Sequence, residues 1–316
     1  VCVLNIAWRK MGRIFVPPGD GFFKTHATRP IPFTRLDGML RLFFSSRGAD
    51  DMPYPTYIDV DPDDPARVLK VNAEPMMGLG RTGTFDDSGI TPVSILRHGG
   101  EDRMYYVGWK RRRYGGVTIE TTIGLAILHD DGDKLSRAFE GPILGQDVDH
   151  PILTAAPFVI FEDRRYRMWY CSGDEWRQAG GQGEMLYTVH YAESDDGIRF
   201  KKIGAAVIPY RYDGEVVSAP WVEKANGEYH MWYSTRGHAA REAKNYTIGY
   251  AHSPDGLTWA RRDDFAGIAK SAEGWDSEMV CYPAMFPHGE RVYMFYCGNA
   301  VGKGGIGYAV ADNFLN

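Results

Sequence analysis

An all-β fold, a five-bladed propeller with four antiparallel strands per blade, is predicted by three observations on this chain. An apolar-aromatic triplet recurs at Leu42-Phe43-Phe44, Met104-Tyr105-Tyr106, Met168-Trp169-Tyr170, Met231-Trp232-Tyr233 and Met294-Phe295-Tyr296, so its first positions are 62, 64, 63 and 63 residues apart. A second aromatic and β-branched run follows each triplet, and tight-turn signals follow several of those runs. Five such units fill the 316 residues, which predicts a single domain over 1–316.

The elements follow in order within each unit. A run centred on a proline comes first, at Pro30, Pro92, Pro157, Pro220 and Pro283, and reads as strand A. The triplet is strand B. Strand C is Thr56-Tyr57-Ile58-Asp59-Val60, Ile123-Gly124-Leu125-Ala126, Val189-His190-Tyr191-Ala192, Ile248-Gly249-Tyr250-Ala251 and Ile306-Gly307-Tyr308-Ala309. Asp131-Gly132, Asp196-Gly197 and Asp255-Gly256 then call for hairpins and a strand D, as in Phe200-Lys201-Lys202-Ile203. The last unit ends without room for its strand D. Trp8 to Pro17 resembles Phe200 to Pro209 in pattern, so an N-terminal strand is expected to complete the last blade and remove the sheet edge.

Composition narrows the function. Thirty-six basic and forty-one acidic residues give a net charge of −5, which lacks the positive field of a nucleic-acid binder. No run approaches the roughly 18 apolar residues of a membrane span. The expectation is a cytoplasmic protein with neither a nucleic-acid nor a membrane partner. Cys2, Cys171, Cys281 and Cys297 have no CxxC spacing and read as buried small residues, and the scattered histidines predict neither a metal site nor a cofactor.

In a ring of such blades strand A lines the axis. The short A-to-B and C-to-D turns open on one face, and the long D-to-A and B-to-C loops on the other, where function is expected. Counted back from the strand-A proline, Asp87, Glu215 and Glu278 share one offset, which predicts three carboxylates converging on the funnel for acid and base work. His26, Arg29 and Asp86 precede axial strands as candidate binding residues. The B-to-C loops add Arg47, Trp109 with the basic run Lys110 to Arg113, Arg236 with His238, and Asn299. Aromatic faces suit sugar rings, and arginines suit carboxylate or phosphate.

The Met-Trp-Tyr strands, the Gly-Tyr-Ala strands followed by Ser-x-Asp-Gly, and the count of five resemble the five-bladed propeller superfamily of glycosidases, which includes invertase, arabinanase, β-xylosidase and the β-mannoside phosphorylases. His26 to Pro30, Phe85 to Gly89 and Trp275 to Met279 also resemble a group of bacterial glycosidase-like proteins. The resemblance implies a sugar or glycoside as the small-molecule partner. The Asn-Asp-Pro and Arg-Asp-Pro acids of invertases do not carry over, because Thr28-Arg29-Pro30, Ala155-Ala156-Pro157 and Ser218-Ala219-Pro220 stand at those strands. The expectation is therefore a glycoside-cleaving enzyme with Glu278 and Asp87 as acid and base and Glu215 as a third carboxylate. Phosphorolysis on a basic cradle, and non-hydrolytic sugar binding or a biosynthetic role, are the alternatives.

Overall fold

The computed structural model describes residues 6–112, 119–179, 182–237 and 245–315. Cys2, Arg113 and His238 lie outside them. β1 (Arg9–Phe15) precedes the first blade, which is β2 (Thr25–Thr34), β3 (Leu40–Arg47), β4 (Pro53–Val60) and β5 (Val68–Val71). The second is β6 (Ile90–His98), β7 (Glu101–Arg111), β8 (Ile119–His129) and β9 (Lys134–Arg137). The third is β10 (Leu153–Glu162), β11 (Arg165–Ala179), β12 (Gln182–Ser194) and β13 (Lys201–Ile203). The fourth is β14 (Val216–Ala225), β15 (Glu228–Arg236), β16 (Thr247–Ser253) and β17 (Ala260–Arg261). β18 (Cys281–His288), β19 (Arg291–Cys297) and β20 (Ile306–Asp312) form the fifth with β1, which pairs antiparallel with β20. The five-bladed fold and its N-terminal closure are as the repeat predicts.

The triplets make the core because side chains alternate across a strand. The outer two residues of each triplet pack on the preceding blade and the middle one on the following blade. Met104 and Tyr106 meet Phe43 and Tyr57 of the first blade, while Tyr105 meets Met168 and Tyr170 of the third. Met231 and Tyr233 likewise face Trp169, and Trp232 faces Met294. Every strand-B triplet is therefore buried on both sides, which is why it reads as an unbroken apolar run.

The recurring glycine of strand C has a packing cause. Gly124 lies opposite Tyr106, and Gly307 lies opposite Tyr296. A methyl group on Gly124 would overlap the Tyr106 and Phe85 rings, and one on Gly307 would overlap the Trp275 ring. Gly124→Ala and Gly307→Ala should each cost about 1–3 kcal/mol through this overpacking. Urea midpoints would show it, and an unchanged midpoint would refute the close approach.

All five A–B pairings carry a one-residue irregularity near the proline. In four blades the residue before the proline has a left-handed backbone: Arg29 (φ 60), Ala156 (φ 50), Ala219 (φ 52) and Tyr282 (φ 59). Such bulges re-aim side chains, and non-glycine residues rarely hold this conformation unless their surroundings impose it. The five bulges surround the axis.

Candidate functional site

A cavity of about 360 Å³ occupies the axis on the long-loop face. Its floor is Arg29 and Tyr282, with the guanidinium 4.3 Å above the phenol ring. Its walls carry His26, Arg47, Trp109 and Tyr187, and hydroxyls come from Thr28, Ser45, Thr91, Thr121 and Ser218. No aspartate or glutamate is among its described lining residues. Of the predicted binding residues, His26, Arg29, Arg47 and Trp109 are thus brought together.

The two arginines differ in what they touch. Arg47 pairs with Asp51 at 3.0 Å and stands 5.9 Å from the Trp109 ring. The Arg29 guanidinium has the Tyr282 ring beneath it and no hydrogen bond or ion pair among the described residues. Burial, with Arg47 and Lys303 nearby, pushes His26 down to about 4, so it is neutral at pH 7 and accepts or donates without adding charge. The Trp109 Nε1–H has no acceptor among the described residues. The arrangement is a cationic floor whose walls mix aromatic rings and hydroxyls with the aliphatic side chains of Val107, Ile119, Leu153, Met185 and Val301, which suits a ligand with an anionic group, hydroxyls and an apolar face.

The matched offset predicts three converging carboxylates, but they occupy three different settings. Glu215 is 2% exposed and is held by Arg261 at 2.8 Å, by the Thr235 hydroxyl at 2.9 Å and by the Arg211 backbone N–H at 2.6 Å. Glu278 is exposed and outside the cavity. Asp87 accepts from the Gly83 N–H at 2.8 Å and from the Ser88 hydroxyl at 2.7 Å. It lines a groove of about 790 Å³ that shares Arg47, Pro53, Trp109 and Ile119 with the cavity and also contains Asp51.

The remaining candidates also have settled partners. Asp86, predicted to bind, is fully buried and accepts from Tyr106 Oη at 2.9 Å and Arg137 Nε at 2.7 Å. Asp276 repeats this in the fifth blade with Tyr296 at 2.9 Å and Lys10 at 2.6 Å. In the fourth blade Asp263 bonds Tyr233 and takes Arg261 at 2.7 Å, while Arg261 also clamps Glu215. Each triplet-ending tyrosine in these blades needs a partner for its buried hydroxyl, and an acid tied to a strand-D cation supplies it. The first blade ends its triplet in Phe44, which needs none. Arg236 pairs with Glu184 beside Tyr246. Asn299 is spent on the Glu278 and Met279 N–H groups at 2.8 and 3.0 Å and on the Gly274 carbonyl at 3.0 Å.

Offset counting therefore aligns residues that do not correspond. The buried acids before the axial strands are Asp86, Glu215 and Asp276, six, five and seven residues ahead of their prolines. The residue before the axial proline is a better guide: Arg29 and Tyr282 both hold it and together form the floor. Tyr187, from strand C, has no distinguishing signal in the sequence. The Ser-x-Asp-Gly segments are hairpin turns: Asp196 Oδ1 accepts from the Ile198 and Arg199 N–H groups, both at 2.8 Å.

The buried histidines set an acid limit on the fold. His190, beside His150, is also pushed down to about 4 by burial. Between about pH 6.5 and 4 the unfolded chain takes up protons that folded His26 and His190 refuse, so stability should fall as pH is lowered through that window. The expected loss is on the order of 1–2 kcal/mol per histidine. Urea titrations at pH 7 and pH 5 test it, and equal midpoints would overturn it.

No protein-family model matches the chain. The uncharacterized protein Rv1502 of Mycobacterium tuberculosis is 34% identical over 312 residues, covering 98% of this chain and 100% of that one. Among solved structures, one described as "Glycoside hydrolase" superposes with a TM-score of 0.73 at 19% identity, over 96% of this chain and 92% of its own. A thermostable family-43 glycoside hydrolase gives 0.65 and 14%, over 94% and 92%. A structure of the GH130 family of mannoside phosphorylases, which contains glycoside hydrolases that target β-1,2 mannosidic linkages in Candida mannan, gives 0.68 and 14%, over 99% and 98%. The architecture is thus the one seen in glycoside hydrolases and in that phosphorylase family.

Proposed function

We propose that this chain, which belongs to the family of the Mycobacterium tuberculosis protein Rv1502, is a glycoside-active enzyme that seats an anionic sugar in its axial cavity. The observation that carries the reading is a cavity with two arginines, aromatic walls, five serine and threonine hydroxyls and, among the described residues, no carboxylate of its own. A ligand carboxylate or phosphate would complete Arg29, which otherwise holds a half-buried charge without an anionic partner among the described residues.

In this reading the bond to be cleaved lies at the mouth, where Asp51 and Asp87 share the adjoining groove. Arg47 and Arg111 hold Asp51 below the usual carboxylate range, so it stays ionised and serves as base toward water. Asp87, the other carboxylate of the groove, has no cation partner among the described residues and is assigned the proton transfer to the leaving oxygen. The water oxygen then bonds the anomeric carbon, the glycosidic bond breaks, and the water's proton passes to Asp51.

Phosphorolysis is the second reading, favoured by the vacant guanidinium of Arg29. A phosphate oxygen then takes the place of water and Asp51 has no proton to accept. Turnover of aryl glycosides bearing uronate or phosphate groups, measured with and without inorganic phosphate, separates the two. Asp87→Asn should lower turnover at least about 100-fold. Glu278→Gln should leave it unchanged. Full activity in Asp87→Asn would remove the assignment.

A further inference from the structure

The cavity is closed at one end. Arg29 and Tyr282 line it from above, and from below they line a space of only about 20 Å³ bounded by Pro30, Val93, Pro220, Trp221 and Pro283. A void of that size holds about one water and no sugar ring. The axial prolines and their bulges thus stopper the channel that a ring of five blades would otherwise leave open. Both stopper residues are held in the left-handed conformation, so the bulge itself places them there.

The other end leads outward. Arg47, Pro53, Trp109 and Ile119 belong to the cavity and to the larger groove, whose remaining walls include Thr82, Asp87, Ser88 and Arg111. Among the described residues the path runs from a blind floor on the axis, past the Trp109 indole, to an open groove over the first and second blades. The cavity's 360 Å³ sits near the lower end of the roughly 300–1,000 Å³ usual for small-molecule sites, while the groove is about twice as large. A ligand longer than one or two units must therefore enter by an end.

We infer that the protein recognises chain ends: the blind cavity takes one terminal anionic unit of a longer saccharide, and the rest of the chain leaves over Trp109 along the groove. The inference rests on the carbohydrate reading above and adds the part of the substrate that is recognised. Trp109 sets the register, because among the described residues its ring is the one aromatic wall common to both compartments and its N–H has no acceptor. An internal unit cannot reach Arg29, since the floor leaves no exit for the chain on its far side.

The test is calorimetry with full-length protein and two probe series: galacturonic acid with its di-, tetra- and dodecasaccharides, and glucose 6-phosphate with maltooligosaccharides phosphorylated at one terminal unit. End recognition predicts one protein bound per chain at every length, with affinity rising about tenfold from one unit to two and then levelling. Thr82→Trp, which fills the groove and not the cavity, should weaken the tetrasaccharide at least about tenfold more than the monosaccharide. Copies bound per chain that grow with length would overturn end recognition and leave the carbohydrate reading standing. Absence of binding in both series would overturn both.

Discussion

Glu215→Ala will destabilise the fold by about 3 kcal/mol, because it strips a buried guanidinium of its principal carboxylate. Glu215 is 2% exposed, and Arg261 meets it with both terminal nitrogens, at 2.9 and 2.8 Å. The expected cost sits at the lower end of the usual 3–5 kcal/mol for breaking such a pair. The reason is that Arg261 keeps Asp263 at 2.7 Å. Arg261→Met should cost a similar amount, and the double variant should cost less than the two together, since neither charge is then left alone. Urea unfolding of the four proteins measures the cycle. A Glu215→Ala protein of undiminished stability that has lost turnover would instead make this residue a catalytic acid.

The second large effect is on binding. Arg29→Gly will weaken an anionic sugar ligand about 100-fold, the size expected when a charge-assisted, two-pronged hydrogen bond is removed. Stability should stay within about 1 kcal/mol of the parent. Glycine relieves the left-handed backbone at φ 60, and this offsets the lost stacking on Tyr282. The same substitution at an ordinary interior arginine would destabilise. Calorimetric titration with galacturonic acid and glucose 6-phosphate, alongside urea unfolding of the free proteins, reads both quantities. Unchanged affinity for every anionic probe that binds the parent would show that Arg29 does not seat the anion.

The contrast between Glu215 and Arg29 shows where local sequence stops being informative. Glu215 stands just before β14 and Arg29 inside β2 next to the axial proline, places that mark both for chemistry. One is consumed by the blade that carries it, and the other is left without an anionic partner among the described residues. The difference lies in Arg261, which stands 46 residues from Glu215 and reaches it only because β17 folds back onto its own blade. Nothing adjacent to Arg29 in sequence announces that it lacks such a partner.

Local pattern is enough for the architecture. A period near 63, alternation within the triplets and Asp-Gly turns each arise from short-range physics: strand pleat, side-chain burial and turn geometry. Five repetitions of one text reinforce one another, so the blade count, the four-stranded blades and the completion of the last blade by β1 are legible residue by residue. The glycine of strand C is legible as a repeat, and its cause is not, because the rings it must avoid come from the neighbouring strand and from the loop ahead of the axial strand.

The site is decided by tertiary structure. The cavity draws on all five blades, and its floor joins Arg29 to Tyr282 across 253 positions of chain, which ring closure alone brings to 4.3 Å. Counting from the prolines fails for the carboxylates because the loops ahead of β6, β14 and β18 differ in length, so equal offsets do not mark equal places. Repetition sets what every blade has in common. Charge pairing across strands decides which acids are already satisfied, and that is a property of contacts no linear count contains.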